Sequence, residues 1–308
     1  MTSPPIAAPL LCGFIDSRAA APAASEDKKV VAPSKLIAPP PLEENCIDAP
    51  PEDGVDQTHI TFKQGGLCRS ASCRYCDNTK ILKITVESNV TSMPAGAFWG
   101  CTSLNSIDWG DSKVTTVGAY AFQETAFTDL ILPSSLTKIE VGAFSSCKYL
   151  KSILFPPSLE KILRGSFQAT GVKHVKLEGE IKEIGDYAFI HCNELETVEV
   201  TTEEGVMTKI GKGAFAYCKN LRSVTLNCRL SSVGEFAFSD CKNLEDVVWP
   251  KACGGGVEID VGDKIFQTCD KLHEKAGGSS KQKDILAYLS KGNNNNNNVE
   301  PPLKKQKR

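Results

Sequence analysis

The chain has 308 residues, a formal net charge of -2 and an isoelectric point near 6.2. That balance lacks the sustained basic field that nucleic-acid or anionic-membrane binding calls for, and no run approaches the roughly 18 apolar residues of a membrane span. Thirteen cysteines, an odd number, argue against a complete set of disulfides.

Residues 1–56 are rich in Ala and Pro, with Pro39-Pro40-Pro41, Pro50-Pro51 and scattered acids such as Glu43, Glu44, Glu52 and Asp53. Such a composition buries too little apolar surface to offset ordering entropy, so a disordered arm is expected. The apolar run Ile6 to Ile15 is broken by Pro9 and no Lys or Arg precedes it. A secretory signal ordinarily has a charged start and a clean core, so secretion is the lesser expectation, supported by the sequon Asn89-Val90-Thr91.

Residues 57–79 hold Cys68, Cys73 and Cys76 in a C-x4-C-x2-C spacing. That spacing occurs in iron–sulfur proteins, but a fourth thiolate is needed and Cys101 belongs to another pattern. Zinc on these three with His59 is the chemical alternative. A structural cap with free thiols is the expected role, and no cofactor is expected.

From 80 to 276 one unit recurs at about 23 residues, a solenoid period. Phe98, Phe122, Phe144, Phe167, Phe189, Phe215, Phe238 and Phe266 each follow an apolar residue five places earlier. Cys stands three places after most of them, at 101, 147, 192, 218, 241 and 269, where it reads as a small buried hydrophobe. Thr125 and Thr170 take that place in two units, which suggests a locally different convex wall. Apolar triplets such as Leu150-Ile153-Phe155 and Leu195-Val198-Val200 then give one short strand per unit, stacked into a single parallel sheet. Gly118, Gly185, Gly211, Gly234 and Gly262 suit a tight bend before the Phe, and Thr202 to Thr208 is an insertion expected to bulge as a loop. Ile265 in place of Ala and the run Gly254-Gly255-Gly256 mark a degenerate last unit that caps the array.

The unit I-G-x-x-A-F-x-x-C-x-x-L-x-x-[IV]-x-[LV], as at Ile184 to Val200, resembles the BspA-type (treponemal-type) leucine-rich repeat. The resemblance runs from about Lys80 to Leu272. It implies an α/β leucine-rich-repeat solenoid with one parallel β-sheet of short strands, flanked by disordered termini. It also implies a role in binding, adhesion or scaffolding without a catalytic motif.

Residues 277–308 form a tail with a short helix expected over Lys283 to Leu289, an Asn tract at 293–298 and a basic end. Lys304, Lys305, Lys307 and Arg308 resemble a nuclear-import signal, which points to an import receptor as one partner and to nucleus or cytoplasm as the compartment.

No nucleophile elbow or phosphate loop is present, and the adjacent His191-Cys192 lacks an exposed thiol facing a base. The outward strand positions remain. Ile131 and Leu154 should lie side by side, rimmed by Asp129, Lys151, Ser152, His174 and Lys176, as the centre of a protein-binding patch. The leading expectation is therefore a non-enzymatic intracellular or nuclear scaffold that binds another protein. The alternatives are a secreted or surface adhesin-like repeat protein, and a metal- or redox-responsive module through Cys68, Cys73 and Cys76.

Overall fold

A computed structural model describes residues 58–63, 78–249 and 259–275. Each turn of the chain contributes two strands. The first turns hold β1 (His59–Phe62), β2 (Lys83–Val86), β3 (Ser92–Met93), β4 (Ser106–Asp108), β5 (Thr116–Val117) and β6 (Asp129–Ile131). The middle holds β7 (Lys138–Ile139), β8 (Ser152–Leu154), β9 (Lys161–Ile162), β10 (His174–Gly179), β11 (Glu183–Ile184) and β12 (Thr197–Thr202). The last turns hold β13 (Met207–Ile210), β14 (Ser223–Asn227), β15 (Arg229–Val233), β16 (Asp246–Val248) and β17 (Asp260–Val261), followed by the short helix α1 (Asp270–Lys275).

All pairings are parallel, as a solenoid requires. β1 and the even-numbered strands form a long-strand wall. The odd-numbered strands β3 to β17 form a second, eight-stranded wall that the one-sheet expectation lacked. Its strands are mostly two residues long, such as Lys161–Ile162, with one side chain in and one out.

The long-strand wall is not one sheet either. It is split into β1-β2-β4, β6-β8 and β10-β12-β14-β16. The breaks have a cause in the chain. Leu104 lies six residues after Phe98 and Leu150 six after Phe144, but Phe127 lies five after Phe122 and Val172 five after Phe167. The two shortened units are the ones with Thr for Cys. In the others a turn closes from the apolar residue's N–H to the Cys carbonyl, as from Leu150 to Cys147 at 3.1 Å. Thr125 and Thr170 stay buried and donate to the Phe122 and Phe167 carbonyls at 2.9 and 3.0 Å, so the aromatic column beside them is undisturbed. Those units differ in the turn that leads from the Phe into β6 and β10.

The eight repeat phenylalanines are fully buried and stack face to face between the walls, with centroids 5.6, 5.4, 5.2, 5.1, 5.2, 5.2 and 5.6 Å apart from Phe98 to Phe266. Phe62 closes one end edge-on at 6.0 Å and Trp249 meets Phe266 edge-on at 6.1 Å. Backbone bonds hold the column in step: Phe167 N–H donates to Ala188 O at 2.8 Å and Phe189 N–H to Ala214 O at 2.7 Å.

The glycines expected to serve the bend act by close approach. A Cβ on Gly185 would stand 2.8 Å from Arg164 N and Leu163 C, and its φ is not left-handed. Apart from Gly110, Gly179 and Gly205, the left-handed positions lie two before or two after a repeat Phe, and most of those carry side chains, including Tyr120, Ser146, Ala169, Tyr187, His191 and Asp240. The insertion lengthens both strands and turns between them: Thr202 ends β12, residues 203–206 form a turn, exposed at 203–205, with Gly205 at φ +94°, Met207 and Thr208 open β13, and buried Thr208 donates to Ile181 O at 2.8 Å. The arm, Cys68, Cys73, Cys76, the helix expected at 283–289, the Asn tract and the basic end lie outside the described residues.

Candidate functional site

Alternation on a strand puts residues two apart on one face. In β6 and β8 Leu130 and Ile153 go inward, which sends Asp129, Ile131, Ser152 and Leu154 outward. The register pairs Asp129 with Ser152 and Ile131 with Leu154. Ile131 is 68% exposed and Leu154 61%. The pair occupies the two-stranded segment between the sheet breaks, flanked by the two shortened units.

Lys151 begins β8's approach, with its N–H on Thr128 O at 2.8 Å, and Lys173 N–H reaches Lys151 O at 3.1 Å across the break to β10. β8 and β10 lie side by side, which brings His174 and Lys176 beside the apolar pair. His174 Nδ1 lies 2.9 Å from Thr197 Oγ1, on the strand beyond. Lys176 is paired with Glu178 at 2.8 Å, and that hydrogen bond raises its amine's pKa. Tyr149, 64% exposed in the turn before Lys151, belongs to the same region and was missed from sequence because it lies off the strand period. Val248, 51% exposed, stands apart on β16.

Ion pairs occur on both walls, as Lys176 with Glu178 on the long-strand wall. On the short-strand wall lysines meet acids across strands, as Lys182 with Glu160 at 3.0 Å and Lys209 with Glu183 at 3.8 Å. Among the described residues Lys148, Lys151 and Lys173, all exposed, have no ion-pair partner. The apolar pair thus ends β6 and β8, while Lys151 and Lys173 precede β8 and β10 at the other end of the strands, where Asp129 begins β6 and Glu196 precedes β12, and Lys148 and Tyr149 lie in the turn before β8.

The thiols are committed to packing. Cys147, Cys192, Cys218, Cys241 and Cys269 are buried, and each donates to the carbonyl of the preceding unit's Phe at 3.1 or 3.2 Å. Beside Cys192, the His191 ring stacks on Tyr217 at 4.8 Å. Burial pushes the Cys147 thiol up to about 11, against the smaller opposite pull of its hydrogen bond with Thr125. A raised thiol pKa means that the unfolded chain loses its proton first, so stability from this group is complete below pH ~9 and is lost as pH rises through ~11. Urea midpoints should fall over that window, and more gently in Cys147→Thr, which copies the side chain of Thr125. Equal slopes would contradict the buried ladder.

No group of His, Cys, Asp and Glu able to hold a metal occurs among the described residues, and the Cys68, Cys73 and Cys76 reading lies outside them. No helix of the described residues is long and apolar enough to cross a membrane. Asn89 of the sequon is exposed, in a turn closed by Val90 N–H on Glu87 O at 3.1 Å.

The family pattern described as BspA type leucine rich repeat region matches residues 70–196 and 193–282, with six copies. Among solved structures the chain is similar to the pneumococcal vaccine antigen PcpA, at 20% identity over 72% of each chain with a TM-score of 0.47. It is also similar to a leucine rich repeat protein of T. pallidum, at 22% identity over 68% of this chain and 83% of that one, TM-score 0.46. A third is a leucine rich cell surface protein from Faecalibacterium prausnitzii, at 19% identity over 71% and 81%, TM-score 0.38. Comparison with curated proteins gives no match. The expectation of nucleus or cytoplasm, with secretion the lesser reading, is corrected by the family match, which assigns the repeat array to the BspA type leucine rich repeat region. The basic end that suggested import lies outside the described residues.

Proposed function

The chain belongs to the BspA-type leucine-rich repeat family, and on that premise we propose that it is a non-enzymatic binding module of the cell surface or its surroundings, adhesin-like in use. Its protein partner is held on the long-strand wall. Support for the surface placement comes from the family, whose repeats serve binding and adhesion, and not from any one structural likeness. The observation that carries the binding site is the exposed pair Ile131 and Leu154, in register on the adjacent strands β6 and β8. Exposed aliphatic side chains rimmed by charge are the ordinary composition of an interface centre. Asp129, Ser152, Lys151, His174 and Lys176 supply that rim, and the cations favour a partner with acidic residues beside its apolar contact.

The test is a double substitution, Ile131→Asp with Leu154→Asp, in purified protein. Both side chains point to solvent, so the thermal midpoint should be unchanged. Binding to the surfaces of the cells with which the protein is found should fall by about tenfold or more, as loss of an interface centre worth about 2 kcal/mol implies. Unchanged binding by a folded double variant would remove this face from the reading.

A further inference from the structure

The long-strand wall has a rim where each strand begins, and the backbone marks it. Thr58 O accepts the N–H groups of Leu82 and Lys83 at 2.8 and 3.0 Å; Thr128 O accepts those of Lys151 and Ser152 at 2.8 and 3.2 Å in the same way. Lys151 O then accepts Lys173 N–H. Thr58, Leu82, Asn105, Thr128, Lys151 and Lys173 are therefore successive positions of one row, which Glu196, Arg222 and Glu245 continue. The chain enters the solenoid at Thr58, on the same rim that carries Lys151 and Lys173, four strand spacings from Lys151.

Four spacings are about 19 Å. The eleven residues 47–57 span at most about 36 Å when extended. Just ahead of Thr58 lies Leu42-Glu43-Glu44-Asn45-Cys46-Ile47-Asp48-Ala49-Pro50-Pro51-Glu52-Asp53-Gly54-Val55-Asp56, which holds six carboxylates and no Lys or Arg. Its apolar residues Leu42 and Ile47 flank Glu43 and Glu44 and are followed by Asp48.

We propose that this acidic segment, residues 42–56, is an occupant of the chain's own Ile131–Leu154 face, with its carboxylates against Lys148, Lys151 and Lys173 and its aliphatic side chains on the apolar pair. Tethering makes the encounter intramolecular, at millimolar effective concentration, so that weak contacts suffice. The inference deepens the binding reading of the same face: an external partner with acidic and apolar residues has to displace the segment.

The experiment uses the full chain with Ile47 replaced by p-benzoylphenylalanine, irradiated in dilute solution without any partner. Its outcome is therefore separable from that of the binding test. The expected cross-link is within one chain, to peptides containing Ile131 or Tyr149 to Leu154. Lys151→Glu with Lys173→Glu should lower its yield about fivefold, and Glu43, Glu44 and Asp48 changed to Lys in that background should restore it. Added salt should lower the yield in the parent chain, since these charges are exposed. Cross-links to the short-strand wall, cross-links between two chains, or a yield indifferent to the charge reversal would overturn the proposal.

Discussion

Phe189→Ala should lower the unfolding free energy by about 3–5 kcal/mol, measured as a shift in the urea transition followed by circular dichroism. Phe189 is fully buried and sits at the centre of the column, 5.1 Å from Phe167 and 5.2 Å from Phe215, with ring planes within 5° and 2° of parallel. Removing it takes apolar surface out of two interfaces at once and leaves a cavity that neighbours fixed by backbone bonds cannot close. A repeat array has only nearest-neighbour interfaces, so a gap in the middle also weakens the coupling between its two halves. Phe189→Leu keeps most of the volume and should cost less, about 1–1.5 kcal/mol. A cost for the alanine below that of the leucine, or a loss too small to measure, would mean that the stacked column is not the core.

Gly185→Ala should cost about 3 kcal/mol, the upper end of what an added methyl does in a packed site. The new Cβ would stand 2.8 Å from Arg164 N, 2.8 Å from Leu163 C and 3.0 Å from Ile162 O, all backbone atoms of the preceding turn, so relief requires two coils to separate. Gly165→Ala is the contrasting case. Gly165 has φ near +61°, and the nearest atom to an added Cβ is Gln168 Oε1 at 3.4 Å, at the tip of a flexible side chain. Its cost is that of the left-handed conformation alone, about 1 kcal/mol. Thermal or urea unfolding of the two variants separates them, and equal costs would contradict the close coil approach assigned to Gly185.

The period of the phenylalanines, the inward face of each long strand and the exposed Ile131–Leu154 pair were all legible in the sequence. Each rests on a regular spacing repeated many times, and the strand alternation then decides what points outward. The second wall was not legible, because a strand such as Lys138–Ile139 has one residue in and one out and shows no alternation to read. The left-handed turns were hidden for another reason. Tyr187, His191 and Asp240 adopt them without any glycine to announce it, held there by the coil-to-coil bonds on either side. The sheet breaks were written in the five-residue spacings at Phe127 and Val172, which shorten the turn into β6 and β10. The compartment was misread because four basic residues in a tail are a short pattern with many accidental occurrences, whereas the family is carried by the whole array.

The account rests most on this chain being a binding module that faces the outside of the cell. The direct measurement is antibody labelling of intact against permeabilised cells of the source organism, with an antibody raised to residues 78–249 and with protease treatment of intact cells alongside. The account predicts labelling of intact cells, or recovery of the protein in the medium, and loss of cell-bound label on protease treatment. Labelling that appears only after permeabilisation and survives protease on intact cells would contradict it.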